Sequence, residues 1–177
     1  MQLRNWNQTN NDFHSKVLAF CAAFGRRSET CAEVAERRKK VPSAERKPLV
    51  LVADDEVIIR ETIVEILRGE GYDAVGVKDG AEAVECADQV GPDVFLADVS
   101  MPRMNGIDAA KRIKRSLPTT RIICFSGHAA TSELLTQARE EGHNFEFLAK
   151  PIRPQALIHT IRGGGDLPTN EHPGRKQ

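Results

Sequence analysis

The chain has 177 residues, enough for one domain with a proper core and some additional sequence, and its formal net charge is zero. That balance gives no global pull toward nucleic acid or a membrane surface, and no apolar run approaches the roughly 20 residues of a membrane span. The charge is unevenly divided: residues 1–47 hold 10 Lys/Arg against 5 Asp/Glu, and residues 48–177 hold 15 against 20.

Residues 1–47 show no sustained period. Val17–Phe24 is an apolar run behind Lys16, but Gly-Arg-Arg follows it in place of a small-residue cleavage site, which argues against secretion. The stretch Glu29–Lys40 lacks an apolar stripe, so it is expected to be at most a transient helix, and "ERRKKVPSAERKP" reads as a charged, Pro-punctuated linker. Without interleaved aromatics or a helix-turn-helix pattern, residues 1–47 are predicted to be a basic, flexible extension outside the core, with no direct DNA binding. Cys21, Cys31, Cys86 and Cys124 lie far apart with no C-x-x-C spacing. The expectation is therefore a cytoplasmic protein with reduced thiols, Cys124 being a small core residue.

From Pro48 the character changes. "LVLVA" (49–53) is a short, doubly apolar strand, followed by a helix over Glu56–Arg68 with Ile59, Ile63, Ile66 and Leu67 on one face. A strand at 73–78 and a helix over Ala81–Gln89, with Val84 and Ala87 inward, come next. Strand Val94–Ala97 precedes a helix from Ile107 to Ser116, with Ala110, Ile113 and Leu117 in register. Strand "RIICF" (121–125) precedes helix Ser132–Glu141, and strand "FEFLA" (145–149) leads to helix Gln155–Arg162. Residues 163–177, rich in Gly and Pro, are predicted to be disordered. Five strand–helix units in one domain, residues 48–162, imply an α/β fold. Its doubly wound parallel sheet suits the flavodoxin-like strand order 2-1-3-4-5, with a crevice at the carboxyl ends of strands 1 and 3.

Those strand ends are polar. The first runs into Asp54-Asp55-Glu56, the third into Asp98, the fourth into Ser126-Gly127 and the fifth into Lys150-Pro151. In a parallel sheet all of them share one edge, so three carboxylates converge, and hard oxygen ligands with room for water suit Mg²⁺. Taken singly, each residue has a bland reading: Asp54 or Asp55 as a helix cap, Ser126 as a turn residue, Lys150 as a surface lysine, Asn105-Gly106 as a turn or helix start. Acid, acid, hydroxyl and amine on four strand ends in this order is far more specific.

On "LVADDE", "DVSMPRMNG", "IICFSGH" and "FLAKP", the segment 48–162 resembles the receiver domain of two-component response regulators, whose pattern D-x-x-M-P-x-M-D/N-G it follows. The resemblance implies that Asp98 is the phosphoacceptor. It implies that Asp54, Asp55 and the main-chain carbonyl of Ser100 join Asp98 around Mg²⁺, that Ser126 and Phe147 are switch residues, and that Lys150 stabilises the phosphoryl group. Phe147 stands where the family often has Tyr, which removes any hydrogen bond from a phenol. Ser100 and His128 occupy positions that flank the path of the water attacking an aspartyl phosphate. The implied donor is a sensor histidine kinase or a phosphotransfer protein, and the implied output is a repacked face of helix 132–141, strand 145–149 and helix 155–162. An unknown protein or a second copy would read that face, with no membrane association and with self-phosphorylation and self-dephosphorylation as the only catalysis. Two rival readings are a phosphorylation-independent module and a phosphatase of the haloacid-dehalogenase type. The latter wants a second Asp two residues past its nucleophile, where this chain has Ser100.

Overall fold

The computed structural model of the chain describes residues 29–127 and 131–163; the run Val17–Phe24, His128 and the tail from residue 164 lie outside the described residues. Five strands, β1 (Leu49–Ala53), β2 (Asp73–Val77), β3 (Val94–Asp98), β4 (Arg121–Ser126) and β5 (Glu146–Ala149), form one parallel sheet in the order β2-β1-β3-β4-β5. β1 and β3 are apolar on both faces because helices cover both faces, and every residue of these two strands is buried.

Helices α2 (Val57–Gly69) and α6 (Pro154–Ile161) close one face. Ile63, Val64, Leu67, Leu157, Ile158 and Ile161 pack there against Val50, Val52, Leu96, Ile123 and Phe125. Helices α3 (Gly80–Val90), α4 (Gly106–Ser116) and α5 (Thr131–Glu140) lie on the other face, where Ala83, Ala87, Ala110, Ile113 and Ala138 meet Leu51, Phe95, Ala97 and Cys124. The predicted inward positions hold, with Ile59, Ile66, Val84 and Leu117 only partly buried. Cys124 is a core residue, its thiol pushed up to about 12 by burial. Asn105 caps α4, its side-chain oxygen accepting from the Asp108 amide at 2.8 Å. No helix among the described residues is long and apolar enough to cross a membrane.

Two expectations about the N-terminal region are corrected. Residues Cys31–Lys39 form a helix, α1, opened by a capping box in which Thr30 and Glu33 satisfy each other's amides. Its Val34 is fully buried in the same core cluster as α3 and β2, so this part of the extension is not outside the core. Arg37 and Arg38 pair with Asp73 at the start of β2, at 3.2 and 3.3 Å, and Arg38 also donates to the Lys47 carbonyl. A nine-residue helix docked through one valine flanked by Cys31 and Ala35 leaves no periodic stripe to read. The thiols of Cys31 and Cys86 are not reduced but joined in a disulfide, with their Cα atoms 5.5 Å apart. A sequence separation of 55 leaves no spacing motif, and the pairing exists only because α1 lies on α3.

Candidate functional site

The ladder β1–β3–β4–β5 carries the polar strand ends to one edge, as the order of the sheet requires. Asp54 follows β1 and is fully buried, Asp55 is exposed beside it, and Asp98 ends β3 almost fully buried. One carboxylate oxygen from each lies within 4.8 Å of the others. Neither Asp54 nor Asp55 caps α2, whose cap position is Glu56 with no side-chain bond. Asp54 instead tightens the turn, its Oδ1 accepting from the Glu56 amide at 2.8 Å.

Lys150 enters from the end of β5. Its Nζ donates to Asp98 Oδ2 at 2.7 Å and to Asp54 Oδ2 at 3.3 Å, and it stands 5.1 Å from the centre of the Phe125 ring. The Lys150 amide donates to the Ser126 carbonyl at 3.0 Å, extending the β4–β5 ladder by one step, and the Lys150–Pro151 bond is cis. Asp98 Oδ1 accepts from the Ser100 amide at 3.2 Å. Burial pushes Asp54 above the usual carboxylate range, against the opposing pull of the Glu56 amide and Lys150 and with Asp98 adding to the rise. Burial pulls the other way on Lys150, but Asp98 and Asp54 hold its ammonium above the usual lysine value. Three carboxylates facing one ammonium leave excess negative charge. An all-oxygen donor set with that excess fits a hard cation.

Ser126 is buried at the end of β4, in register with Ala149 of β5, and Gly127 beyond it leaves the Lys150 side chain in ordinary contact distance. Phe147 lies two residues earlier on β5, in register with Cys124, and is exposed. The structure thus brings Asp54, Asp55, Asp98 and Lys150 into one cluster, sets Ser100 and Ser126 at its rim, and places Phe147 on the neighbouring outer face.

Several supporting residues were not legible beforehand. Arg60 of α2 donates from Nη1 to the Asp54 carbonyl at 2.8 Å, and its stem lies over Gly76, where an added Cβ would come 2.8 Å from Arg60 Cγ. Gly106 is needed for close approach: a Cβ there would sit 2.0 Å from the Asp98 carbonyl oxygen. The Asn105-Gly106 pair was readable as a helix start, but not as the point where α4 touches β3. The loop between β3 and α4 is tied to the start of α3, since the Gly80 amide donates to the Met104 carbonyl at 3.3 Å and Arg103 forms an ion pair with buried Asp79. Arg103 adopts a left-handed φ of 66°.

The sequence matches the family described as the response regulator receiver domain over residues 50–162. The transcriptional regulatory protein PdtaR of Mycobacterium tuberculosis (strain H37Rv) is 44% identical over 115 residues, covering 63% of this chain and 54% of PdtaR. The chemotaxis protein CheY of Thermotoga maritima is 33% identical over 113 residues, covering 63% of this chain and 92% of CheY. Among solved structures, Vibrio cholerae CheY4 superposes with a TM-score of 0.59 at 26% identity, over 66% of this chain and 98% of CheY4. The chain therefore spans about half the length of PdtaR and nearly all of the chemotaxis proteins. Because the match runs from β1 through α6 and takes in every polar strand end, the chain belongs to the response regulator receiver family of two-component signal transduction.

Proposed function

We propose that this protein takes a phosphoryl group onto Asp98 from the phosphohistidine of a sensor histidine kinase or a phosphotransfer protein, and that the acyl phosphate switches a protein-binding face. The observation that carries the reading is the position of Asp98: a buried carboxylate, 2.7 Å from an ammonium, with Asp54 and Asp55 within 4.8 Å. A carboxylate is a poor nucleophile toward phosphate because both are anionic. Bound by Asp54, Asp55, Asp98 and the Ser100 carbonyl, Mg²⁺ would offset that repulsion. Lys150 already points its charge at Asp98 and would stay to neutralise a phosphoryl oxygen, while the Ser126 hydroxyl donates to another. Gly127 leaves the approach to Asp98 free of a side chain.

Drawing Ser126 toward the phosphoryl group would empty space next to β5, into which exposed Phe147 could turn, repacking the face of α5, β5 and α6. That face would be read by a downstream protein or by a second copy of this chain. Direct contact with DNA is not part of this reading, since residues 48–177 carry five more acids than bases. Turnover of free phosphate esters is not part of it either, because Ser100 offers no second carboxylate. The cytoplasm, where kinase phosphohistidines are formed, is the compartment it implies. Ser100 leaves the path of the attacking water open, and His128 is proposed only as a candidate for orienting it.

The test is labelling with acetyl phosphate. Wild-type protein with Mg²⁺ should acquire one hydroxylamine-labile phosphoryl group; chelation of the metal, Asp98→Asn and Asp55→Asn should each abolish it. A stoichiometric acyl phosphate on the Asp98→Asn protein would place the nucleophile elsewhere.

A further inference from the structure

We propose that Cys31 and Cys86 form a reversible thiol–disulfide exchange site, opened by a dithiol reductant, that locks α1 to the receiver body and frees it on reduction. The bond joins residues 55 apart and lies on α3, away from the acidic cluster, where phosphoryl chemistry makes no use of it.

Its two halves differ in access. Cys86 lies inside α3 and is 1% exposed, whereas Cys31, the first residue of α1, is partly open to solvent. A cleft of about 420 Å³ between the two helices is lined by both cysteines together with Glu29, Glu82 and Glu85. A reductant therefore has a path to the Cys31 sulfur without unfolding the domain. The acidic rim disfavours anionic monothiols and suits a neutral or basic dithiol.

The exchange balances in two steps. A thiolate of the reductant attacks the Cys31 sulfur, the disulfide breaks, and its electron pair leaves on the Cys86 sulfur, which takes up a proton. The reductant's second thiolate then attacks its own sulfur in the mixed disulfide, and Cys31 departs as a thiolate and is protonated. Two electrons and two protons have passed to the pair, and the dithiol has become a disulfide.

The consequence follows from the size of α1. Nine residues are too few for a helix to persist undocked, so α1 exists only while it is held to the body. With the bond closed, docking is permanent. With the bond open, non-covalent contacts alone hold it, among them Val34, Ala35, the Arg37 and Arg38 pairs with Asp73 and the Arg38–Asp93 pair, and those contacts can dissociate. In a reducing compartment disulfides are typically transient or sensing, which matches an accessible bond between a short, separable helix and the receiver body.

The test uses the full-length chain purified without reductant, treated with dithiothreitol under native conditions. Maleimide labelling with peptide mapping and the initial rate of tryptic cleavage between Arg37 and Lys40 are the readouts. We expect Cys31 and Cys86 to become labelled together only after reduction, with cleavage in α1 rising at least tenfold. Cys86→Ser should show the faster cleavage without reductant, and Cys31→Ser, altering the more exposed half, serves if that variant does not fold. Labelling of either cysteine before reduction, a need for denaturant to reduce the pair, or a cleavage rate unmoved by reduction would each overturn the proposal.

Discussion

Lys150→Met isolates the charge that the acidic cluster depends on, because methionine keeps most of the hydrocarbon stem beside Phe125 and removes the ammonium. The side chains of Asp54 and Asp98 are 0% and 6% exposed and that of Lys150 is 19%, so the pairs are shielded from water on the carboxylate side. Removing one partner of a buried pair commonly costs about 3–5 kcal/mol, and water reaches Lys150, which favours the lower end. That implies a loss of about 3 kcal/mol in chelator, or a Tm lower by roughly 10 °C. Excess Mg²⁺ should recover more stability in the variant than in the wild type, because the variant's pocket is one charge more negative. The assay is urea unfolding followed by circular dichroism, in EDTA and in Mg²⁺. Since the folded-state pKa of Lys150 is raised above 10.5, its contribution is complete below that pH and fades as pH rises toward the folded value. A loss under about 1 kcal/mol in EDTA, or identical Mg²⁺ responses, would show that the ammonium does not hold the cluster together.

The sign for Asp54 is the reverse of that for a paired surface acid: its folded value lies above 3.8, so the folded protein binds the proton more tightly. In chelator, its contribution to stability should therefore rise as pH falls through the folded value toward 3.8, and subtracting the Asp54→Asn curve should expose that limb; superimposable curves would refute it. Gly106→Ala drives a Cβ into the Asp98 carbonyl, backbone against backbone, and should cost about 3 kcal/mol or more in urea unfolding; a loss under about 1 kcal/mol would mean that α4 can shift cheaply. Val34→Ala removes two buried carbons and should cost about 2 kcal/mol under non-reducing conditions. Deleting residues 1–47 should cost more, since closing a 55-residue loop through the disulfide is worth about 4 kcal/mol in the chain-entropy model; a deletion that leaves the urea midpoint unchanged would return α1 to the status of an appendage.

Leu49–Ala53 and Val94–Ala97 could be recognised as buried strands from their residues alone, since only a sheet covered on both faces demands apolar side chains in both directions. The helices between them follow from 3.6-residue spacing, as Ile63 with Leu67 and Ala110 with Ile113 illustrate. From those local patterns the topology follows, because parallel strands joined by helices must bring all their carboxyl ends to one edge. Asp54, Asp98, Ser126 and Lys150 were therefore predictable neighbours despite separations of up to 96 residues. Packing decided the rest. That Gly106 touches the Asp98 carbonyl, that Arg60 braces the Asp54 turn across Gly76, and that Asp79 holds Arg103 depend on how closely particular helices approach the sheet, which no spacing encodes. The docking of α1 is the extreme case: Val34, Cys31 and two arginines look like fragments of a charged linker until α3 and the start of β2 supply a hydrophobic seat, a thiol and a carboxylate. Periodic, local information is carried by the residues themselves, whereas a contact between two aperiodic segments exists only in the surface that the finished fold presents.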